Sequence, residues 1–294
     1  MAKNSFFKTY IKYPFIGAVV GFVWLIFKML PLKAASALGG FLGGAAYYVT
    51  FGRNKIALKN MAFAYPDKPL VWRKALLKKM WRHWGRFFAE MPHSKEWVKG
   101  AEVYGKDLLE QMKTDGKGGF ICSAHLGNWE FASSYVFQNY FPLHPVYRPA
   151  NNPWLDKLMF KRRAGVLIPK GSAGVRIMLD LLKNGEHISI LCDQRLREGI
   201  PAPLFGRMAQ TPAAMVTLAK KMNLPILMGK AVRMSDGHYR MDVEPLDMSD
   251  NPDFDAAVRE TVARMNQILE RWIRQTPEQW LWIHRRFDKK EYKN

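Results

Sequence analysis

The sequence predicts an α/β fold, a mixed and partly parallel sheet flanked by helices, with an N-terminal membrane helix. Three observations predict it. An uncharged apolar run fills residues 14–27, and a helical, strongly basic pattern follows over residues 53–113. From residue 118 onward, short apolar runs alternate with helical stretches. Strands and helices that alternate at this spacing are typical of a sheet with a parallel portion.

The first element is the apolar run "PFIGAVVGFVWLIF". Together with "KMLPL", it approaches the roughly 20 residues that a helix needs to cross a bilayer. Lysines precede it, which fits a positive-inside anchor with a cytoplasmic start. A signal peptide is the alternative, because "ASA" at residues 35–37 resembles a cleavage site. Lys28 and Lys33 lie before that site, where cleavage regions usually carry no charge, so we predict an uncleaved anchor or an interfacial helix.

The chain therefore divides into an anchor, residues 1–32, and one α/β domain, residues 33–294. Residues 34–51 are rich in Gly and Ala. We expect them to form an amphipathic helix that lies on the membrane or packs under the domain.

The composition limits which partners the chain can bind and which redox compartment it occupies. The hydrophobic share of 48% excludes a disordered chain, and the formal net charge of +20 favours anionic partners. These include nucleic acid, an anionic membrane, phosphorylated lipid and an acidic carrier protein. Cys122 and Cys192 both lie in apolar runs and are expected to be buried thiols in a reducing compartment. The cysteine spacing fits no metal site.

The elements of the domain follow in order. The first four predicted strands are "GGFICSA", "HPVYR", "GVLIPK" and "HISILCD". Two further strands, "PILMGKAVRM" and "HYRMDVEP", are predicted to form a hairpin that turns at residues 235–237. The predicted helices in this part are residues 130–138, 153–163, 173–183, 211–222 and 253–274.

The stretch "HLGNWE" places a histidine and a carboxylate where a strand meets a helix. Functional groups of open α/β sheets gather at the carboxyl ends of strands, and His125 follows the strand "FICSA" directly. Gly127 and Asn128 suit a tight turn, and Asn128 is expected to cap the next helix. Glu130 would then lie in the first helical turn and fold back toward the imidazole.

A neutral histidine oriented by a carboxylate is a general base. No Ser or Cys lies in a nucleophile-elbow context, so the base would activate a hydroxyl of the substrate. The alternative is a His125–Glu130 pair that only satisfies a buried turn. A metal site needs more ligands than the stretch supplies.

More of the chain agrees with a known family. "HLGNWE" resembles the His-x4-acid signature of the late acyltransferases of lipid A biosynthesis (LpxL/LpxM, or HtrB/MsbB, type), within the lysophospholipid acyltransferase superfamily. The motifs "KNMAFAYPD", "YRPANNPWLD", "IPKGSAGVRIMLDLLKNGEHISILCDQ", "PLFGRMAQTPAAMVTLAKKMNLPI" and "WLWIHRRF" follow in the family's order. The resemblance covers essentially the whole chain.

This resemblance implies a glycerolipid-acyltransferase-like fold and an inner-membrane enzyme with a cytoplasmic active site. It would move a fatty acyl chain from acyl carrier protein, or coenzyme A, to a hydroxyl of a Kdo-bearing lipid A precursor in lipopolysaccharide biosynthesis. The donor would carry phosphopantetheine, and neither a bound cofactor nor a metal is implied. By the family pattern, His125 is the base and Glu130 its partner.

Further site residues are expected at the other strand ends. Arg148 ends the second strand and is a candidate for holding an oxyanion or a lipid phosphate. Asp193 and Gln194 end the strand "HISILCDQ" and are placed at the site rim. Gly171 and Arg176 belong to a strand-to-helix turn that could cradle an anion.

The remaining candidates lie toward the C-terminus. Gly206 matches the family's Phe-Gly element and would shape the acceptor or acyl groove. His284, Arg285 and Arg286 match a closing Trp-x-x-His-Arg-Arg pattern and are candidates for phosphate binding. The alternative for these three is a solvated basic tail.

Two other functions stay open at this point. The same dyad would serve an acyltransferase that acts on a lysophospholipid or a glycosylated phosphatidylinositol. Outside the enzymes, the chain could be a non-catalytic binder of anionic lipid. A nucleic-acid partner is disfavoured for two reasons. The basic residues share the chain with a predicted membrane anchor, and the sequence has neither an RNP-like nor a helix-turn-helix signature.

Overall fold

The structure, a computed structural model, describes residues 8–160 and 165–292. The end of the predicted helix 153–163 lies partly outside these residues. The helices are α1 Tyr13–Met29, α2 Leu32–Ala46, α3 Phe51–Ala64, α4 Leu70–Glu90, α5 Lys106–Thr114, α6 Trp129–Asn139, α7 Pro153–Phe160, α8 Ser172–Lys183, α9 Ala214–Met222 and α10 Phe254–Gln275. The strands are β1 Glu102–Tyr104, β2 Gly119–Ser123, β3 Leu143–Tyr147, β4 Ile168–Pro169, β5 His187–Leu191, β6 Ile200–Leu204, β7 Arg207–Thr211, β8 Ile226–Arg233 and β9 Tyr239–Pro245.

Seven strands form the main sheet, in the order β1-β9-β8-β2-β5-β3-β4. Neighbouring strands run parallel except β8 and β9, which form the predicted antiparallel hairpin. All five residues of β2 are buried, as expected for a parallel strand covered on both faces. The predicted fold class, a mixed and partly parallel sheet flanked by helices, is confirmed.

Two local elements differ from the prediction. The basic region 53–113 holds α3, α4 and α5, but also the edge strand β1, which pairs with β9. A second hairpin, β6–β7, is separate from the main sheet and was not predicted. Its turn holds Phe205 and Gly206 at φ of 50° and 71°.

Helices α2 and α4 pack so closely that only glycine fits between them. A Cβ on Gly43 would lie 2.2 Å from the carbonyl oxygen of Trp81, and one on Gly85 would lie 2.1 Å from that of Gly39. The glycine-rich region 34–51 therefore packs under the domain. The opposite side of α2 still exposes Phe41 and Leu42. The segment Thr9–Met29, which contains α1, is long and apolar enough to cross a membrane by length and composition.

Candidate active site

His125 lies just past the carboxyl end of β2, and its partner lies just past the end of β5. The two strands are adjacent and parallel, with Ser123 opposite Leu191. Two residues further along each chain, this register brings His125 beside Asp193. The Nδ1 atom of His125 lies 2.8 Å from Oδ1 of Asp193, and its backbone N–H donates to Oδ2 at 3.1 Å.

Asp193 is buried, with 4% of its surface exposed, and it accepts a third hydrogen bond. The indole Nε1 of Trp280 donates to its Oδ2 at 2.8 Å. Burial by itself would raise the pKa of Asp193, but the His125 charge and these hydrogen bonds outweigh it and lower that pKa to about 2. The carboxylate is therefore ionised at neutral pH. It holds the proton of the imidazole on Nδ1 and leaves Nε2 able to accept a proton.

Glu130 does not hold the Nδ1 atom of His125, and the predicted pairing is corrected here. The Asn128 side chain caps α6 by accepting from Phe131 N at 2.9 Å, as predicted. Glu130 then falls at the second helical position. Its carboxylate accepts from the Trp129 indole at 3.0 Å, and its side chain lines a cavity. Parallel strand register, rather than nearness in the chain, selects Asp193.

Two further rings flank the imidazole. The ring of Trp129 lies 4.9 Å from that of His125, and the ring of His284 lies 6.1 Å away, between centroids. Burial lowers the pKa of His284 to about 4, and the charge that His125 carries when protonated and the charge of Arg53 act in the same direction. His284 is therefore neutral at neutral pH.

A cavity of about 330 Å³ opens beside these residues. It lies between the sheet and α6, and its lining includes Glu130 and Trp129, the ring that contacts the imidazole. Ile121 and Leu191 contribute apolar wall, and Ser123 contributes a buried hydroxyl that has no hydrogen-bond partner among the described residues. The site thus combines a histidine–carboxylate pair with a nearby, partly apolar cavity.

Comparison with known proteins decides the family. Residues 4–289 match the model of the bacterial lipid A biosynthesis acyltransferases. The chain belongs to this family.

Curated relatives of this acyltransferase agree with the match. A lipid A biosynthesis palmitoleoyltransferase of Escherichia coli (strain K12) is 28% identical over 281 residues, covering 91% of this chain and 89% of the relative. A lipid A biosynthesis lauroyltransferase of the same organism is 27% identical, with the same coverage of both chains. A phosphatidylinositol mannoside acyltransferase of Mycolicibacterium smegmatis (strain ATCC 700084 / mc(2)155) is 23% identical and covers 67% of this chain and 68% of its own. The chain is thus an acyltransferase of lipid A biosynthesis, with an acyl donor and a lipid acceptor.

Of the other predicted site residues, Gln194 lies next to His125, whereas Arg148, Gly171 and Arg176 lie on other elements of the fold. The amide Nε2 of Gln194 lies 3.3 Å from Nε2 of His125. Arg148 is exposed and follows β3, two strands from β2 in the sheet. Gly171, at φ 99°, is the N-cap of α8, and Arg176 is exposed on that helix.

The C-terminal candidates differ in how exposed they are to solvent. Arg285 is exposed, whereas Arg286 is 1% exposed. The Arg286 guanidinium donates to Gln210 O at 2.9 Å and to Thr211 Oγ1 at 2.7 Å, so it fixes the C-terminal segment to β7 and cannot reach a lipid phosphate. Gly206 lies in the exposed turn of the β6–β7 hairpin.

One residue of the candidate site was not predicted from the sequence. Trp280 donates a hydrogen bond to Asp193, whereas the sequence pointed only to its motif "WLWIHRRF". A second Trp two residues later gives the motif two indoles of the same type. Sequence alone does not distinguish the indole that contacts Asp193 from Trp282, which donates to the backbone of Pro277.

Proposed function

We propose that this acyltransferase moves a fatty acyl chain from the thioester of acyl carrier protein to a hydroxyl of a Kdo-bearing lipid A precursor. The reaction would take place at the cytoplasmic face of the inner membrane. The observation that supports it is the His125–Asp193 pair, together with a partly apolar cavity whose lining includes Trp129, the residue whose ring lies 4.9 Å from that of His125.

In the proposed mechanism, Nε2 of His125 takes the proton of the acceptor hydroxyl while its oxygen attacks the thioester carbonyl carbon. The ionised Asp193 stabilises the imidazolium that forms. The tetrahedral intermediate then collapses, the carbon–sulfur bond breaks, and the imidazolium returns the proton to the leaving thiolate. The products are a lipid ester and a free thiol, so atoms and charge balance without any redox step.

The tetrahedral intermediate carries a negative oxygen that needs a hydrogen-bond donor. The Gln194 amide lies within hydrogen-bond reach of the nitrogen where the reacting oxygen arrives, which supports Gln194 as one donor. Arg148, at the same edge of the sheet, is our candidate for an acceptor phosphate. Phosphopantetheine would arrive with the donor, and the mechanism uses neither a bound cofactor nor a metal.

Charge and membrane attachment support the same partners. A net charge of +20 favours an acidic carrier protein, a phosphorylated acceptor and an anionic leaflet. The apolar segment Thr9–Met29 would hold the enzyme at the surface where the acceptor resides. We expect transfer from the carrier protein to weaken as ionic strength rises.

A second acceptor class has its own support. Phosphatidylinositol mannoside acyltransferases of two mycobacterial organisms match about two thirds of this chain. The His125–Asp193 pair would be unchanged for that acceptor, and only the acceptor contacts would differ.

The test is acyl transfer by the purified chain in detergent. Labelled acyl carrier protein and acyl-coenzyme A are offered separately, each with a Kdo-bearing tetra-acylated precursor, a phosphatidylinositol mannoside or a lysophospholipid. His125→Ala is compared with His238→Ala, because His238 is an exposed histidine with its own Asp236 partner at 3.1 Å.

We expect transfer from carrier protein to the lipid A precursor that is lost in His125→Ala and kept in His238→Ala. Transfer only to another acceptor would refute the lipid A precursor as the acceptor and identify that other class of acceptor instead. Binding of anionic lipid without transfer by the wild type to any acceptor would refute the proposal. Equal activity of His125→Ala and wild type would refute the mechanism alone.

A further inference from the structure

Helix α1 lies against the domain along most of its length. Near its start, the Asn152 side chain donates to Tyr13 O at 3.1 Å. Near its end, the ring of His93 lies 2.9 Å from Phe27 O. Between them, Gly17 lies so close to Trp154 that a Cβ would approach its side chain to 2.6 Å. The contacts extend over about 21 Å of helix, at the rise of an α-helix.

The two faces of α1 differ. Phe15, Phe22 and Leu25 are 69%, 65% and 51% exposed and form the outer face. Trp24 lies on the inner face, is partly buried, and packs against the hydrophobic core. Since adjacent residues of a helix point about 100° apart, Trp24 faces the domain while Phe22 and Leu25 face away.

Trp24 is the residue through which α1 reaches the cavity beside the dyad. The cavity lining includes Trp129, whose ring lies 4.9 Å from that of His125, and also Glu130, Phe137, Leu143 and Trp24. Since an apolar cavity of about 150 Å³ holds benzene, the observed 330 Å³ would hold about a dozen carbon atoms. This is the size of a fatty acyl chain, and one wall comes from the membrane helix.

We propose that Trp24 is a specificity-determining residue that limits the length of the acyl chain. Helix α1 would then be part of the acyl site as well as an anchor. The inference rests on the acyl transfer proposed above. It assigns the cavity to the donor chain, because the lining includes both Trp129, whose ring lies 4.9 Å from that of His125, and Trp24 of a helix whose outer face is apolar.

Truncating the indole should enlarge the cavity on the side of α1. Each buried methylene contributes a factor of about four to binding. If two more methylenes fit, the longer donor gains roughly 15-fold in kcat/KM relative to the wild-type optimum. A phenyl ring at the same position should shift the preference less than alanine does.

The first experiment measures kcat/KM for acyl carrier proteins loaded with saturated chains of increasing length, using wild type, Trp24→Phe and Trp24→Ala. The matched controls are Phe22→Ala and Leu25→Ala, which remove large side chains from the outer face of the same helix. We expect the optimum to move to longer chains in Trp24→Ala and to stay unchanged in both controls. An unchanged optimum in Trp24→Ala, or an equal shift in Phe22→Ala, would overturn the inference.

A second measurement covers the case in which Trp24→Ala does not fold. Wild-type enzyme is irradiated with a carrier protein whose acyl chain bears a diazirine near its methyl end. Crosslinking to the α1 peptide that contains Trp24 is expected, and crosslinking confined to other peptides would overturn the inference. Wild type that transfers no chain of any length would instead overturn the acyl transfer itself, and the inference with it.

Discussion

Replacing Asp193 with asparagine is expected to change the proton position on the His125 imidazole with almost no change in side-chain volume. The two carboxylate oxygens of Asp193 accept from the backbone and Nδ1 of His125 and from the indole of Trp280. An asparagine offers one oxygen and one NH₂ group to these three donors. When the NH₂ group faces Nδ1, the imidazole must accept there and carry its proton on Nε2. That tautomer cannot take a proton from a hydroxyl.

The size of the effect follows from the chemistry. In the serine-protease triad, the same Asp-to-Asn change lowers kcat about 10⁴-fold by favouring the wrong tautomer. We expect a loss of about 10³- to 10⁴-fold here, equal to about 4–5 kcal/mol of transition-state stabilisation. The lowered pKa of Asp193 keeps the carboxylate charged at every assay pH above about 4. Its contribution to stability would be lost only as pH falls from about 4 to about 2.

The assay combines single-turnover acyl transfer with ¹⁵N NMR of the His125 ring. Glu130→Gln is the matched control, since it makes the same carboxylate-to-amide change at the predicted partner. We expect Asp193→Asn to move the ring proton to Nε2, and Glu130→Gln to leave it on Nδ1 whatever its effect on rate. Wild-type kcat in Asp193→Asn, or a tautomer shift in Glu130→Gln alone, would refute the assignment of Asp193. Unchanged thermal unfolding midpoints would show that both variants fold.

The remaining predictions concern positioning and stability. Trp280→Phe removes one hydrogen bond to the catalytic carboxylate and should lower kcat about tenfold, whereas Trp282→Phe should not, and equal losses would contradict this role. Burial lowers the pKa of His83 to about 4, so the unfolded chain binds a proton there that the folded chain excludes. The free energy of unfolding should therefore fall by up to about 3 kcal/mol as pH drops from 6.5 to 4, and urea unfolding of His83→Gln should lack this part of the pH dependence. Gly43→Ala should lower the unfolding midpoint through a backbone clash worth about 1–3 kcal/mol, while Gly21→Ala, with open space around it, should not.

The sequence predicted most of the fold because the parallel strands are apolar runs flanked by helices of regular spacing. The β6–β7 hairpin escaped prediction for two physical reasons. Pro201 and Pro203 are residues that strands usually exclude, and the turn places a phenylalanine, Phe205, at positive φ. The strand β1 was missed because three residues carry little periodicity, and its pairing with β9 depends on tertiary structure.

For the candidate site, the sequence predicted the position of His125 but not the carboxylate that contacts it. His125 follows a strand, and the rule that functional groups gather at strand ends is enough to place it. Glu130 is close to His125 in the sequence, whereas Asp193 is close to it only because β5 is the neighbour of β2 in the sheet. The order of strands in a sheet cannot be predicted from a local sequence pattern. Burial also changed the expected charge of the closing motif, since it makes His284 neutral and removes Arg286 from the surface.

The C-terminal motif "WLWIHRRF" has a structural role in the candidate site. The carbonyl of His125 accepts from Leu281 N at 2.9 Å, and Gly127 N donates to Gln279 O at 3.1 Å, so the C-terminal segment pairs with the loop that carries the base. A Cβ on Gly127 would lie 1.8 Å from the carbonyl oxygen of Ala231, so only glycine allows the loop to lie this close to β8. The same C-terminal segment brings Trp280 to the carboxylate. Because the base, its carboxylate and the indole come from three distant parts of the chain, the catalytic geometry is complete only after the last segment has docked.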